Sequence, residues 1–390
     1  MINCQKELPE FIKSRMDFLM KDLINTDYGK NLVVGLTPER GDVLIQSNDY
    51  LDISEHVEIR GRLIESLQNK KSDMFMSSIF LHDNNNKYML ENELSKYTNF
   101  SNSYISQSGW NANVSLLQAI CVPDTNVYID FFAHMSMWEG ARYSCAKIRP
   151  FMHNNSNHLR KLIQRNGPGI IVVDSIYSTI GTIAPLEEIV SIAQEYGCVT
   201  VVDESHSLGV YGENGAGMLS SLGLSEKVDF MTASLAKAFA YRAGLICTNS
   251  NFGQCIPYTA FSNIFSSTMM NYEIYGLKAT LDVIRSVDDR REALFSLSKR
   301  LRLGLREIGL DIRSQSHIIS LETGDEYNTK LVRDILEEQG IFGSVFCRPA
   351  TPKNRNIIRF SMNSSLTNED VDRIISVCKC LLENENVYFK

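Results

Sequence analysis

No stretch of 18 consecutive apolar residues occurs in the chain, so the sequence offers no membrane-spanning helix. No C-x-x-C pair occurs either. The nine cysteines stand at 4, 121, 145, 198, 247, 255, 347, 378 and 380, without histidines at metal-ligand spacing. An odd number of scattered cysteines predicts a reducing, cytoplasmic setting and no metal centre, rather than a secreted disulfide scaffold. A basic excess is also missing. Lys and Arg number 39 against 46 Asp and Glu, for a formal charge of −7, which excludes a general nucleic-acid-binding face but not local basic pockets for anions. No G-x-x-x-x-G-K-[ST] is present, and Gly209, Gly212, Gly215 and Gly217 do not follow G-x-G-x-x-G spacing, so ATP and NAD sites are unsupported. There is no internal repeat. The opening residues include Lys6, Glu7, Glu10 and Lys13, which argues against a signal peptide. Asn84-Asn85-Asn86 reads as a short polar loop.

What is present is ordinary in bulk and patterned in detail. The 390 residues are 44% hydrophobic and 22% charged, enough for a large core and about two domains. Asn126–Asp130, 169–174, 198–203, 228–232 and 245–248 read as short apolar strands. Between the second and third of these, 185–196 places Leu186, Ile189, Val190 and Ala193 on one helical face, with Pro185 in the first turn and Gly197 at the C-cap. Strands apolar throughout belong in a parallel sheet covered on both faces, with ligands at the C-terminal strand ends. After about residue 285 the rhythm changes. A charged helix (288–308), a strand (318–322), a helix (328–339), strands at 342–346 and 357–362, and a final helix (368–382) predict a compact α+β domain. The expected division is an N-terminal segment over 1–55, a large domain over 56–285 and a small domain over 286–390.

Three segments could carry chemistry. The first is Val201-Val202-Asp203-Glu204-Ser205-His206-Ser207-Leu208-Gly209. An acid closing a buried strand is costly without a cationic partner, and a protonated pyridine nitrogen is such a partner. By itself this segment could equally be a helix-capping acid beside a structural histidine. The second, Thr232-Ala233-Ser234-Leu235-Ala236-Lys237, ends 34 residues after Asp203. It offers hydroxyls for a phosphate and a lysine among small or apolar neighbours, where desolvation favours the nucleophilic amine. The third, Ser108-Gly109-Trp110-Asn111-Ala112-Asn113, precedes an apolar helix over 114–120 and could present backbone amides to a phosphate. His134, after Phe131-Phe132-Ala133, could stack on a flat ring.

The order of these motifs resembles the α-oxoamine synthases, fold-type I pyridoxal-phosphate enzymes that join an amino acid to an acyl-CoA. Asp130 with His134, and Asp174 with Ser178, fall between the third segment and the first. The resemblance runs from Ser47-Asn48-Asp49-Tyr50-Leu51 to Arg359. The stretches 126–142, 167–186, 202–209 and 342–351 are similar to a subgroup that makes α-aminoketone quorum-sensing autoinducers. The resemblance implies an α/β fold with a mainly parallel, seven-stranded sheet and a smaller C-terminal α+β domain. It implies pyridoxal 5'-phosphate carried as a Schiff base on Lys237, with Asp203 at the ring nitrogen, His206 at O3′ and His134 stacked on the ring. Ser108, Gly109 and Trp110 correspond to the phosphate cradle, and Ser234 to a further phosphate hydroxyl. Ser267 and Thr268 correspond to phosphate ligands from the second subunit of a homodimer. Ser178 borders cofactor and substrate, while Asn48 and Arg359 are substrate-site residues, Arg359 suiting a carboxylate through its planar fork. Arg348 and Lys353 are basic residues available to coenzyme A.

The implied reaction condenses a medium-chain acyl-CoA with S-adenosylmethionine or 2-aminobutyrate, with decarboxylation, to an α-aminoketone. The rivals are a glycine-using synthase (8-amino-7-oxononanoate synthase or glycine C-acetyltransferase) and a non-catalytic pyridoxal-phosphate sensor. Ala236 stands where the family has Ser, Asp174 where it has Glu, and Phe75-Met76-Ser77-Ser78-Ile79-Phe80 where glycine-using members are Gly-rich. These differences argue against glycine as substrate.

Overall fold

The computed structural model describes residues 7–23, 32–68, 75–82 and 85–390, so Cys4, Lys6 and Asn84 lie outside the described residues. Twelve strands occur among them: β1 (Val43–Leu44), β2 (Asn102–Ser106), β3 (Asn126–Asp130), β4 (Lys147–Phe151), β5 (Ile170–Asp174), β6 (Val199–Asp203), β7 (Phe230–Ser234), β8 (Gly244–Thr248), β9 (Ile318–Gly324), β10 (Ile341–Phe342), β11 (Ser344–Phe346) and β12 (Asn356–Ser361). Seven of these form one sheet in the order β2-β8-β7-β6-β5-β3-β4. The pairs from β7 to β4 are all parallel, and β8 is antiparallel to both of its neighbours.

Alternation along these strands builds two cores. Val127, Ile129, Val172, Val201, Phe230 and Ile246 meet Ala112, Leu116 and Met137 from helices Gly109–Ile120 and Met135–Tyr143. On the opposite face Tyr128, Ile171, Val173, Val202, Met231 and Leu245 join Leu159, Ile189 and Leu277 from helices Ser156–Asn166, Leu186–Tyr196 and Asn271–Ile284. Covering both faces explains why β5 and β6 read as unbroken apolar runs. Their ends are in register, Asp174 beside Asp203, so two acids emerge together at the C-terminal ends of adjacent central strands.

The small sheet, β11-β12-β9, is antiparallel and is flanked by helices Asp288–Glu307, Glu326–Glu338 and Asn368–Leu382. Several boundaries differ from expectation for local reasons. The strand expected over 228–232 starts at Phe230, because Val228 N donates to Leu224 O (3.1 Å) and closes a turn. The strand expected over 342–346 breaks at Gly343; its first part pairs with β1 and its second with β12. The helix expected from residue 114 starts at Gly109, and that expected from 328 starts at Glu326, capped by Asp325. Where a polar loop was expected to reach Asn86, Asn85 caps a helix that begins at Asn86. Pro185 sits at the N-cap rather than inside the first turn.

A tight seam joins the two sheets. Gly181 adopts φ +67°, and its carbonyl accepts from Gln315 N (3.0 Å) and the Ser316 hydroxyl (2.9 Å). A β-carbon there would lie 1.9 Å from Ile318 O. The same turn carries Ser178. The substitution Gly181→Ala is expected to cost on the order of 2–4 kcal/mol through backbone strain and loss of the seam, read as a lowered thermal midpoint. An unchanged midpoint would show that the seam carries no stability.

Candidate active site

The C-terminal ends of β5, β6 and β7 converge with the start of the helix Gly109–Ile120. Asp203 ends β6 in a buried position. One of its carboxylate oxygens accepts from Ser205 N (2.7 Å) and the other from Asn113 Nδ2 (2.8 Å). The same Asn113 amide donates to the Ser136 hydroxyl (2.8 Å), which lies 2.7 Å from His134 Nδ1. His134 Nδ1 also accepts the Ser136 backbone N–H (3.4 Å), which caps the helix beginning at Met135. His134 also donates its backbone N–H to Asp174 at 3.2 Å, and its ring meets Trp110 edge-on at 6.2 Å.

Lys237 follows β7 in a half-buried loop between Leu235 and Ala238, which are both buried. Its Nζ lies 2.8 Å from His206 Nε2. Burial pushes the amine down to about 8, against the opposing pull of Asp203 and Asp174. Asp174 is itself held well above the usual carboxylate range by burial and by the neighbouring Asp203 charge. His206 is pulled below the usual imidazole range by burial, then by Lys237 and Arg359. From Lys237 a polar chain crosses the site: His206 Nδ1 to the Tyr50 hydroxyl (2.6 Å), Tyr50 to Asn48 Oδ1 (3.1 Å), and Asn48 Oδ1 to Arg359 Nη2 (3.0 Å). Arg359 Nη1 donates to Ser178 O (2.9 Å), and its guanidinium stands 4.6 Å over the Phe346 ring. Its Nε is buried and has no hydrogen-bond partner among the described residues.

The residues fit pyridoxal phosphate. Ser108 caps the helix, taking the Asn111 N–H on its hydroxyl (3.1 Å) and the Ala112 N–H on its carbonyl (2.9 Å). That leaves the amides of Gly109 and Trp110 as first-turn donors for an anion. A β-carbon on Gly109 would lie 2.4 Å from Ser234 Cβ, so only glycine lets this helix start meet the end of β7. Ser234 is half-buried there. Thr232 is two residues deeper and sealed, so it is not the second phosphate hydroxyl that the sequence suggested. A buried acid for a ring nitrogen, a desolvated amine for an aldehyde and a free helix start for a phosphate stand together.

Other expected residues divide. Ser267 and Thr268 lie along their own chain: Ser267 O accepts from Gln107 Nε2 (2.7 Å), Thr268 N donates to Met76 O (2.7 Å), and Thr268 Oγ1 is buried with no partner among the described residues. Arg348 and Lys353 line a cavity of about 300 Å³ with Asp325 and Glu326. A separate cavity of about 490 Å³ opens beside His134 and Ser178, lined by Phe131, Phe132, Trp138, Phe346 and Pro349, with Arg142. Sequence reasoning assigned no role to Tyr50 or Asn113, which connect the residues it did name. Their only signal was position, Tyr50 two residues after Asn48 and Asn113 one helical turn after Gly109.

Comparison with known proteins shows the family. The family model for aminotransferase class I and II matches residues 43–377. The chain is 53% identical over 96% of its length to a CAI-1 autoinducer synthase of Vibrio campbellii, covering 95% of that protein. It is 31% identical to a putative 8-amino-7-oxononanoate synthase of Halalkalibacterium halodurans, over 84% of each chain. The fold matches a serine palmitoyltransferase of Sphingomonas wittichii with a TM-score of 0.82 at 21% identity, covering 97% of this chain and 98% of that one. The chain belongs to the class I and II aminotransferase family, in its α-oxoamine synthase branch, and is a pyridoxal-phosphate-dependent enzyme of acyltransferase type.

Proposed function

We propose that the enzyme joins the acyl group of a medium-chain acyl-CoA to S-adenosylmethionine or 2-aminobutyrate, with loss of coenzyme A and carbon dioxide and, from S-adenosylmethionine, prior loss of the sulfur side chain. The product is an α-aminoketone that serves as a quorum-sensing autoinducer. The observation that carries this reading is the polar chain from Lys237 to Arg359. It sets an amine with free-base character and a buried cation with a spare donor at two ends of one site, as an α-amino acid requires. The name of the 53% identical relative supports an autoinducer as product. The aromatic cavity beside His134 and Ser178 supports an apolar acyl group as the second substrate.

When bound, pyridoxal phosphate supplies an electron-poor ring that draws negative charge from the α-carbon of the amino substrate. Asp203, held by Asn113 and Ser205, keeps a carboxylate where the ring nitrogen needs a counter-charge. His134 is fixed by Ser136 to cover the ring, and Gly109, Trp110 and Ser234 hold the phosphate. Arg359 orients the substrate carboxylate through its unpaired Nε and its fork of donors. Lys237 Nζ takes the α-proton, with His206 Nε2 beside it as a second proton acceptor. Phe131, Phe132 and Trp138 exclude water from the acyl group.

We further propose a cytoplasmic homodimer with Ser267 and Thr268 reaching the partner's phosphate, and domain limits at residues 55 and 285. The exposed side chains of Tyr258, Phe261, Phe265, Phe75 and Phe80 support the dimer. They gather where Ser77 donates to Asn263 O (2.9 Å), beside the helix that begins at the phosphate cradle. Such a patch suits a self-association surface.

Two outcomes are expected. With acyl-CoAs of graded length and each amino donor, mass analysis should find an aminoketone from S-adenosylmethionine or 2-aminobutyrate and little from glycine. A glycine-derived product as the main one would replace this reading with a glycine-using synthase. In cofactor-free protein, the rate at which Lys237 captures added pyridoxal phosphate should climb through pH 8 and then level off, because the amine is uncharged above about 8. A rate still climbing toward pH 10 would show an ordinary, solvated lysine.

A further inference from the structure

The direction of every proton in the chain from Arg359 to Lys237 follows from donor chemistry. A guanidinium only donates, so the Asn48 atom 3.0 Å from Arg359 Nη2 is the amide oxygen. A carbonyl oxygen only accepts, so the Tyr50 hydroxyl 3.1 Å away gives its single proton to it. The Tyr50 oxygen is then an acceptor, and His206 Nδ1 at 2.6 Å must carry a proton. A neutral imidazole has only one N–H, and burial, with Lys237 and Arg359 adding positive charge, keeps His206 neutral. Its Nε2 is therefore a bare lone pair facing Lys237 Nζ at 2.8 Å.

We propose that Tyr50 is a positioning residue that locks His206 in the Nδ1–H tautomer, so that Nε2 stays an acceptor for Lys237. It does so because Asn48, fixed by Arg359, takes the phenol proton. Tyr50 is fully buried and His206 is 4% exposed, so water does not offer either an alternative partner. The Tyr50 ring is held edge-on by His317 at 4.1 Å, and burial keeps its phenol protonated by pushing the group upward from its ordinary value. The tautomer of the imidazole beside Lys237 is thus set by the residue that binds the substrate carboxylate. This inference rests on the reading of Lys237 and Arg359 given above, but it concerns proton placement and not the identity of the substrates.

The test is nitrogen NMR of the full-length chain labelled with 15N-histidine and dialysed free of cofactor, with His206→Gln assigning the signal. His206 is expected to show a protonated Nδ1 and a bare Nε2. In Asn48→Ala, Tyr50 loses its acceptor and becomes the donor to Nδ1, so the proton should move to Nε2. In Tyr50→Phe, loss of the acceptor should drive the same exchange. A wild-type His206 protonated on Nε2, or a tautomer unchanged in either folded variant, would overturn the proposal. Because no turnover is read, a wrong assignment of substrates would leave these spectra as expected.

Discussion

One contact organises the site: the 2.8 Å approach of the half-buried Lys237 Nζ to Nε2 of the buried His206. Two bases are held together there, each pulled toward its neutral form by burial. In water the same lysine would be an ammonium and a poor nucleophile. The acids that oppose this pull, Asp203 and Asp174, end adjacent parallel strands in register. The sheet therefore supplies both desolvation, by covering its two faces, and the counter-charge that limits it.

The small sheet completes what the large sheet starts. Arg359 lies on β12, yet it bonds to Asn48 near the N-terminal end and to Ser178 in the turn after β5. Three stretches far apart in sequence are brought to one guanidinium. β1 pairs with β10, the Ser178 turn is sealed against β9 at Gly181, and the Ser320 hydroxyl donates to Thr179 O. A site built across such a seam is sensitive to strain well outside its own residues.

Much of the large sheet was legible in the sequence, because parallel strands buried on both faces are continuous apolar runs. β5 and β6 announce themselves this way, and their acids mark the strand ends where ligands bind. β4 did not, since Lys147 to Phe151 is an edge strand with Arg149 and Pro150, and edge strands carry polar residues and proline. β2 escaped as well; Asn102 to Ser106 is polar and alternating. The candidate residues Lys237, Asp203, His206, Asn48 and Arg359 were named from motif order, and the structure brings them together. Tyr50 and Asn113 could not be found that way. Their part is to fix other side chains, and such a role depends on three-dimensional contacts that leave no periodic trace.

The central claim is that the amine of Lys237 carries pyridoxal phosphate. Borohydride reduction of the cofactor-loaded enzyme, followed by peptide mass spectrometry, reads this directly. The account predicts one pyridoxyl-phosphate adduct, on Lys237. An adduct on another lysine, or none on any, would contradict it.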